Sequence, residues 1–255
     1  VKVYQDWRKM LDAEAKHIDS VNVSVPDHMH AAMAMSALRL GKNVYCQKPL
    51  CHDLYEVRTL TEFARKQKVV TQMGIQIHAL ACYRMVPQLL QCGTIGKIKE
   101  VHSWCDRSWG DPSPRPDRVD PVPHGLDWDI WLGVCAKRPY IGKDYYAPVT
   151  WRKRIDFGTG SLGDMGCHIF DPIFTALKLT APLSVRSEGP VPNQWNWAID
   201  SKIHYVFPGT DFTAEKTLPF TWYDGAQKPP AEIAEQFGIK RLPDQGSVFI
   251  GSNGV

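Results

Sequence analysis

The sequence predicts an α/β protein, in which a parallel sheet within the first 73 residues is followed by an α+β domain with a predominantly antiparallel, open sheet. Up to residue 73, apolar runs with β-branched character alternate with amphipathic helical segments, as in strands joined by crossover helices. Beyond residue 74 this alternation stops, and apolar and polar residues alternate over 199–207, as in a half-buried antiparallel strand. Hydrophobic residues make up 44% of the 255 positions, enough for a sizeable core.

The first predicted domain, residues 1–73, contains three strands separated by two helices. Asp27 can cap the first of these helices, whose apolar run ends at Gly41. Asp53 and Glu56 form an acidic variant of the capping box before the second helix. The strands are predicted at 18–25, 43–46 and 68–73. Elements of these lengths in this order predict a parallel sheet with right-handed crossovers.

The second predicted domain, residues 74–255, mixes helices with strands. Its helices are predicted at about 80–92, with Gly93 as the closing residue, and at about 160–179. Its strands are predicted at about 97–106, 199–207 and 210–223. The alternating pattern of these strands indicates a sheet with one face toward a core and one face open.

A proline-rich segment interrupts this second domain. Residues 107–126 include five prolines and show almost no periodicity, which is typical of a functional or a disordered loop. Five of the nine tryptophans lie between positions 104 and 151. They either shape a ligand site or fill a core, and the sequence leaves both interpretations open.

Composition and charge exclude several classes of function. Lys and Arg exceed Asp and Glu by 3 without a long basic run, so we expect no nucleic-acid partner. No apolar stretch reaches the roughly 18 residues of a membrane span, and no export signal is visible. The seven cysteines form no C-x-x-C pair, so we expect neither a disulfide scaffold nor a metal site. A cytoplasmic location is expected, or a periplasmic one if a signal precedes Val1.

One segment fits the glycine pattern of a dinucleotide-binding turn. Residues 158–163 read G-T-G-S-L-G and open a predicted helix. The residues before them, 151–157, include four charged side chains and do not form an apolar strand, and no acidic residue stands at the spacing that the pattern requires. We therefore do not assign cofactor binding to these glycines.

An acidic and histidine-containing helix follows those glycines. Asp164, His168 and Asp171 stand at i, i+4 and i+7, so all three are predicted on one helix face. An aspartate one turn from a histidine can fix its tautomer and make it a general base. The alternative is a solvated face or a buried histidine with structural bonds only, and spacing does not decide between them.

Two further candidates follow predicted parallel strands, where open α/β sheets bind ligands. Lys48, in the triplet Gln47-Lys48-Pro49, follows the second strand and could stabilise developing alkoxide charge. The turn from Pro26 to His30 follows the first strand. Each could equally be a solvated or turn-forming residue.

Four segments together resemble the Gfo/Idh/MocA oxidoreductases. Residues 23–30 (VSVPDHMH) resemble the family's strand-to-turn segment, and 47–49 (QKP) its E-K-P motif. Residues 93–101 (GTIGKIKEV) are similar to its G-x-I-G-x-V segment, and 163–171 (GDMGCHIFD) to its D-x-G-x-H-x-x-D helix. They occur in the family's order and cover most of the chain.

The resemblance implies a two-domain NAD- or NADP-dependent enzyme that oxidises a secondary hydroxyl of a sugar, cyclitol or related polyol. Residues 1–73 would be part of a Rossmann-like nucleotide-binding domain, and 74–255 a substrate and oligomerisation domain. His168 would remove the hydroxyl proton, Asp164 would orient His168, and Lys48 would contact the hydroxyl and the nicotinamide ribose. The implied cofactor contacts are Pro26, His30, Lys48, Pro49, Gln76, Trp151 and Arg152.

The resemblance also has two departures. Gln47 stands where the family has glutamate, which removes a carboxylate beside Lys48. The family's first strand, glycine-rich turn and first helix would precede Val1. Three functions are therefore carried forward: a polyol dehydrogenase acting as a homo-oligomer, a glycosidase that oxidises its substrate transiently, and a non-catalytic sugar-binding or assembly module.

Overall fold

The computed structural model describes residues 1–236, 238 and 241–255 and divides into two compact units. Residues 1–74 and 113–159 form the first unit, and residues 75–112 and 160–255 the second. Helices of the first unit are α1 (Trp7–Glu14), α2 (His30–Arg39), α3 (Leu54–Gln67) and α5 (Trp128–Leu132); its strands are β1 (Ser20–Val23), β2 (Asn43–Gln47) and β3 (Thr71–Gly74). Helices of the second unit are α4 (Ala81–Gln91), α6 (Gly160–Ile169), α7 (Asp171–Leu177) and α8 (Ala231–Gln236); its strands are β4 (Ile98–Cys105), β5 (Ser184–Glu188), β6 (Lys202–Pro208), β7 (Thr217–Asp224) and β8 (Gln245–Gly251).

The first unit contains the predicted parallel sheet. Strands β1, β2 and β3 lie in chain order, and β2 pairs in parallel with both neighbours, so their carboxyl ends share one edge. Helices α2 and α3 supply the apolar residues that bury the sheet. The acidic capping box forms: Asp53 Oδ1 accepts from Glu56 N at 2.9 Å, and Glu56 Oε2 reaches back to the amide of His52, also at 2.9 Å.

Residues 113–159 pack with the first unit, although the sequence grouped all residues after 73 in one domain. The ring of His28 contacts the rings of Trp131 and Phe157, and the backbone amide of His28 donates to Phe157 O at 3.3 Å. Thr159 donates to Asp27 Oδ2 at 2.9 Å. An aromatic cluster formed mainly by this segment is therefore built onto the turn after β1, a long-range contact that local patterns do not reveal.

Burial of His28 makes the stability of this unit depend on pH. It is 2% exposed, and burial lowers its pKa from 6.5 to about 4. Because the unfolded chain binds the proton more readily, this contribution is complete above pH 6.5 and is lost as the pH falls toward 4. We expect the loss to reach on the order of 3 kcal/mol. Calorimetric unfolding of wild type and His28→Gln from pH 7 to 4 checks this, since the neutral variant should show the shallower pH dependence.

The second unit contains the predicted, predominantly antiparallel sheet. Its strand order is β5-β6-β7-β4-β8, and the parallel pair is β4 with β7. Helices α4 and α7 bury one face with Leu90, Ile173 and Leu177 against Val101 and Phe220. Helix α6 packs Ile169 beside Cys105 and Trp222.

The single helix predicted over 160–179 is wrong. Helix α6 ends at Ile169 and α7 begins at Asp171, because Pro172 has no amide hydrogen to continue the first ladder and its ring conflicts with the carbonyl four residues earlier. Within the described parts of the chain, no helix is both long and apolar enough to cross a membrane.

Candidate functional site

Helix α6 carries a carboxyl and an imidazole side chain that are almost completely buried. Asp164 is 6% and His168 is 7% exposed, and they stand one helical turn apart in the second unit. The indole Nε1 of Trp109 donates to Asp164 Oδ2 at 2.7 Å. Because a carboxylate is acceptor-only, this short bond stabilises its charged form in a place where water is largely excluded. The arrangement can hold a carboxylate and an imidazole ready for proton transfer.

Two loops fix Trp109 against this helix. The amide of Trp109 donates to Ser161 Oγ at 2.7 Å. Two residues later, the amide of Asp111 donates to the carbonyl of Trp197, in the loop before β6, at 3.0 Å. Gly110 packs directly on the backbone carbonyl of Ala198. The ring of Trp197 covers Gly160, where an added Cβ would lie 2.9 Å from the indole. Residues 109–111, near the start of the proline-rich segment, are therefore held beside the start of α6.

Of the five tryptophans between 104 and 151, some fill a core and one contacts the candidate site. Trp128, Trp131 and Trp151 pack in the aromatic cluster of the first unit, and Trp104 lies in a core cluster of the second unit. Trp109 differs, because its N–H donates to Asp164. Four of the five fill cores, and one contacts the candidate site.

Asp171 is not part of the same arrangement. Its two carboxylate oxygens lie 2.9 and 2.8 Å from Nδ1 of His78, an exposed residue of the short 3₁₀ helix Gln76–Ala79. The break at Pro172 places Asp171 in a new helix, so the prediction that three polar residues share one helix face is wrong for this one. No three His, Cys, Asp or Glu side chains group as a metal-ligand set in the ranges that the structure describes.

Lys48 lies directly after β2, at the carboxyl edge of the parallel sheet, with a half-buried side chain. The preceding Gln47 lies against β3, where a Cβ on Gly74 would come within 2.6 Å of Gln47 Oε1. Cys46, the residue before Gln47, is a buried thiol whose pKa is raised to about 12 by burial. Its Sγ donates to Leu50 O at 3.6 Å. Lys48 belongs to the first unit, and Asp164 and His168 to the second.

The other residues of the implied cofactor set fall in different environments. Pro26 follows β1 and precedes a 3₁₀ helix, and Gln76 is exposed after β3. His30 is fully buried, with both ring nitrogens against backbone carbonyls. Trp151 is buried in the aromatic cluster, and the Arg152 guanidinium lies 4.3 Å from its ring centroid.

The glycine pattern at 158–163 has a packing explanation. A short 3₁₀ helix, Thr150–Lys153, precedes it in place of a strand. A Cβ at Gly158 would come within 2.5 Å of the Arg152 backbone, and Gly160 has φ +65°. These glycines are required by close approach and by left-handed backbone, not by a dinucleotide.

Two parts of the chain match models of one protein family. Residues 1–75 match a family model described as "Oxidoreductase family, NAD-binding Rossmann fold", and residues 106–210 match one described as "Oxidoreductase family, C-terminal alpha/beta domain". The chain belongs to the Gfo/Idh/MocA oxidoreductase family. The resemblance inferred from the four motifs is thereby confirmed.

Relatives of this Gfo/Idh/MocA chain include two named dehydrogenases. It is 22% identical over 168 residues to the levoglucosan dehydrogenase of Pseudarthrobacter phenanthrenivorans, covering 65% of this chain and 34% of that protein. It is 26% identical over 142 residues to the myo-inositol 2-dehydrogenase of Thermotoga maritima, covering 55% of this chain and 40% of that protein. The matched part of the chain thus covers well under half the length of each of these two relatives.

The fold is shared with solved members. A crystal structure of an inositol dehydrogenase homolog from Azotobacter vinelandii, complexed with NAD⁺, matches with a TM-score of 0.63 at 18% identity. The match covers 98% of this chain and 54% of that one. It supports the parallel sheet followed by the mostly antiparallel one.

The sequence did not indicate the roles of Trp109, whose indole donates to Asp164, and of Ser161, whose hydroxyl accepts from the Trp109 amide. Nothing in local spacing links positions 109 and 164, because the contact joins a loop without periodicity to a helix 55 residues away. A hint was present in the tryptophan enrichment of that loop, but four other tryptophans carried the same signal and fill cores.

Replacing Trp109 by phenylalanine tests the bond to Asp164. An aromatic ring is kept, although it is smaller than indole, and the N–H donor is lost; hydrogen bonds to charged groups contribute about 1.5–3 kcal/mol. We expect kcat to fall roughly tenfold to a hundredfold, with no further fall when the change is made in an Asp164→Asn background. Trp128→Phe is the matched control, because Trp128 Nε1 donates to Arg138 O at the same 2.7 Å in the first unit. An equal kcat loss in both variants would contradict the assignment.

Proposed function

We propose that the protein is an NAD- or NADP-dependent oxidoreductase that oxidises a secondary hydroxyl of a sugar, cyclitol or related polyol by hydride transfer. The buried Asp164 and His168 pair, with Asp164 bound by Trp109, carries this proposal. The names of the levoglucosan and myo-inositol relatives support a compact, hydroxyl-rich substrate. Family membership supports the class of reaction.

The residues at the carboxyl edge of the parallel sheet fit a nicotinamide cofactor. Ligands of open α/β sheets bind at this edge, where Pro26 and Pro49 offer apolar surface and Lys48 an ammonium donor for ribose hydroxyls. Gln76, Trp151 and Arg152 complete the proposed set, and Arg152 supplies a guanidinium suited to phosphate. When bound, the nicotinamide ring would accept the hydride from the substrate carbon.

The chain's own residues would move the proton. We assign His168 the role of the base that takes the hydroxyl proton as the C–H bond breaks, which keeps the product carbonyl neutral. Asp164, whose carboxyl group accepts the Trp109 N–H, would stabilise the imidazolium that forms. Lys48 would donate to the substrate oxygen and stabilise developing alkoxide charge. The near-complete burial of Asp164 and His168 keeps bulk water from competing for the proton.

We also propose that the protein forms a homo-oligomer through the open face of the five-stranded sheet. Strand β5 lies at one edge of that sheet, and most of its residues are exposed. Light scattering of the purified protein would measure the assembly directly, and a monomer at micromolar concentration would contradict this part.

Nicotinamide reduction at 340 nm, followed across a panel of sugars, cyclitols and polyols with NAD⁺ and NADP⁺, tests the proposed activity. We expect at least one substrate that reduces the cofactor in wild type and not in His168→Ala. Hydrolysis of a nitrophenyl glycoside without net reduction would instead favour the transient-oxidation glycosidase. Sugar binding that is unchanged in His168→Ala, with no turnover in any assay, would favour a binding module.

A further inference from the structure

A buried histidine joins the ends of two parallel strands. His30, the first residue of α2, is 0% exposed. Its Nδ1 lies 2.7 Å from the carbonyl oxygen of Pro49, and its Nε2 lies 2.8 Å from the carbonyl oxygen of Val25. Val25 lies two residues beyond β1, and Pro49 lies two residues beyond β2. One imidazole ring therefore spans the carboxyl ends of neighbouring strands.

Both ring nitrogens of His30 face hydrogen-bond acceptors. A carbonyl oxygen only accepts hydrogen bonds, and a neutral imidazole has one N–H and one lone pair. In either neutral tautomer, a nitrogen lone pair would face a carbonyl oxygen at 2.8 Å or less. At least one ring N–H can therefore donate to a strand-end carbonyl, and a hydrogen on each nitrogen would let the ring donate to both.

The bond to Pro49 is one of three that fix the loop after β2. The carbonyl of Pro49 is bound by His30, the carbonyl of Leu50 by the Cys46 thiol, and the amide of His52 by Glu56. Lys48 immediately precedes this bonded stretch. The backbone from which its side chain extends is thus set by contacts further along the loop.

We propose that His30 is a positioning residue, whose buried ring contacts the Val25 and Pro49 carbonyls, joins the ends of β1 and β2, and so sets the position of Lys48. The inference rests on the role proposed above for Lys48. His30 serves the reaction through the backbone, because both polar atoms of its ring are engaged by carbonyl groups.

Nuclear magnetic resonance of the wild-type protein tests the clamp without reference to activity. With ¹⁵N-labelled histidine and ¹³C-labelled carbonyls, we expect a ring N–H signal for His30 that is protected from exchange. We also expect a coupling across its hydrogen bond to the carbonyl carbon of Val25 or Pro49. Rapid exchange of the ring hydrogens with solvent, or the lack of any such coupling, would overturn the clamp.

Kinetics of a matched pair of variants test the positioning. Glutamine in place of His30 can donate to only one of the two carbonyls. His52 contacts a single carbonyl, that of Gly158, at 3.2 Å, so His52→Gln keeps a donor for its one partner. Since a displacement of about 1 Å can reduce turnover on the order of 100-fold, we expect His30→Gln to lose kcat on that scale with KM for the alcohol changed less than about threefold. Full kcat in a folded His30→Gln, or an equal loss in His52→Gln, would overturn the proposal.

A chemical measurement separates this inference from the proposed function. If no alcohol is oxidised by wild type, the proposed function fails, but the reactivity of Lys48 toward acetic anhydride can still be followed by mass spectrometry. We expect its labelling rate to change in His30→Gln and to stay at the wild-type value in His52→Gln. Identical Lys48 labelling in wild type and His30→Gln would overturn the positioning role by itself.

Discussion

Replacing His168 by glutamine is expected to lower kcat roughly a thousandfold, within the range that a positioned general base contributes. Glutamine keeps a polar side chain of similar length in a site that is 7% exposed, so the helix and its packing should survive. It cannot accept and release a proton near neutral pH, so the O–H bond of the substrate would have to break without a base. Steady-state kinetics on the substrate found in the panel, with circular dichroism as the check on folding, measures this effect.

His204→Gln is the matched control for that substitution. His204 lies on β6 of the same unit and pairs with Glu188 through Nε2 at 3.2 Å, on a partly exposed surface. Exposed ion pairs contribute little, about 0–1 kcal/mol, so we expect kcat to stay within about twofold of wild type. Retention of full activity in His168→Gln, or an equal loss in His204→Gln, would contradict the assignment of His168 as the base.

Substituting alanine for Gly110 is expected to disturb the candidate site through the backbone, without altering a reacting group. The added Cβ would overlap the carbonyl group of Ala198, a backbone obstacle that no side-chain rotation relieves. Overpacking of this kind costs about 1–3 kcal/mol. Because Trp109 is the preceding residue, the loop should move and weaken its bond to Asp164, so kcat should fall on the order of tenfold or more.

Gly254→Ala provides the comparison for Gly110. A Cβ at position 254 would meet Ile95 Cγ2 at 3.6 Å, an ordinary van der Waals contact in the same unit. We expect its unfolding transition and kcat to match wild type. If calorimetry gave Gly110→Ala the same transition as Gly254→Ala, and the two variants had equal kcat, then the contact between the two loops would not support Trp109.

Local patterns predicted the elements that depend on local chemistry. The three parallel strands, the helix capped by Asp53 and the terminal glycine of the preceding helix were all marked by residues within a few positions of each other. Gly41, for example, has φ +68° at the end of α2, as its place after an apolar run indicated. The strand ends were less accurate, since β1 covers Ser20–Val23 where 18–25 was predicted.

Contacts between distant segments were outside the reach of such patterns. Packing of residues 113–159 on the turn at His28, and the bond between Trp109 and Asp164, join segments separated by loops without periodicity. His30 was expected as a cofactor contact, and its two main-chain partners could not be predicted, because carbonyl groups leave no trace in side-chain identity. The prediction of a single helix over 160–179 was wrong because Pro172 interrupts the helix, although the apolar residues around it keep helical spacing.

The central claim is that this protein removes a hydride from a secondary alcohol carbon while His168 takes the hydroxyl proton. The most direct measurement uses polyols and sugars deuterated at carbon, with mass spectrometry of the nicotinamide cofactor after incubation with wild type and His168→Gln. We expect one deuterium per reduced cofactor with wild type and a rate reduced roughly a thousandfold in the variant. Reduced cofactor without deuterium, or equal deuterium transfer by both proteins, would contradict the claim.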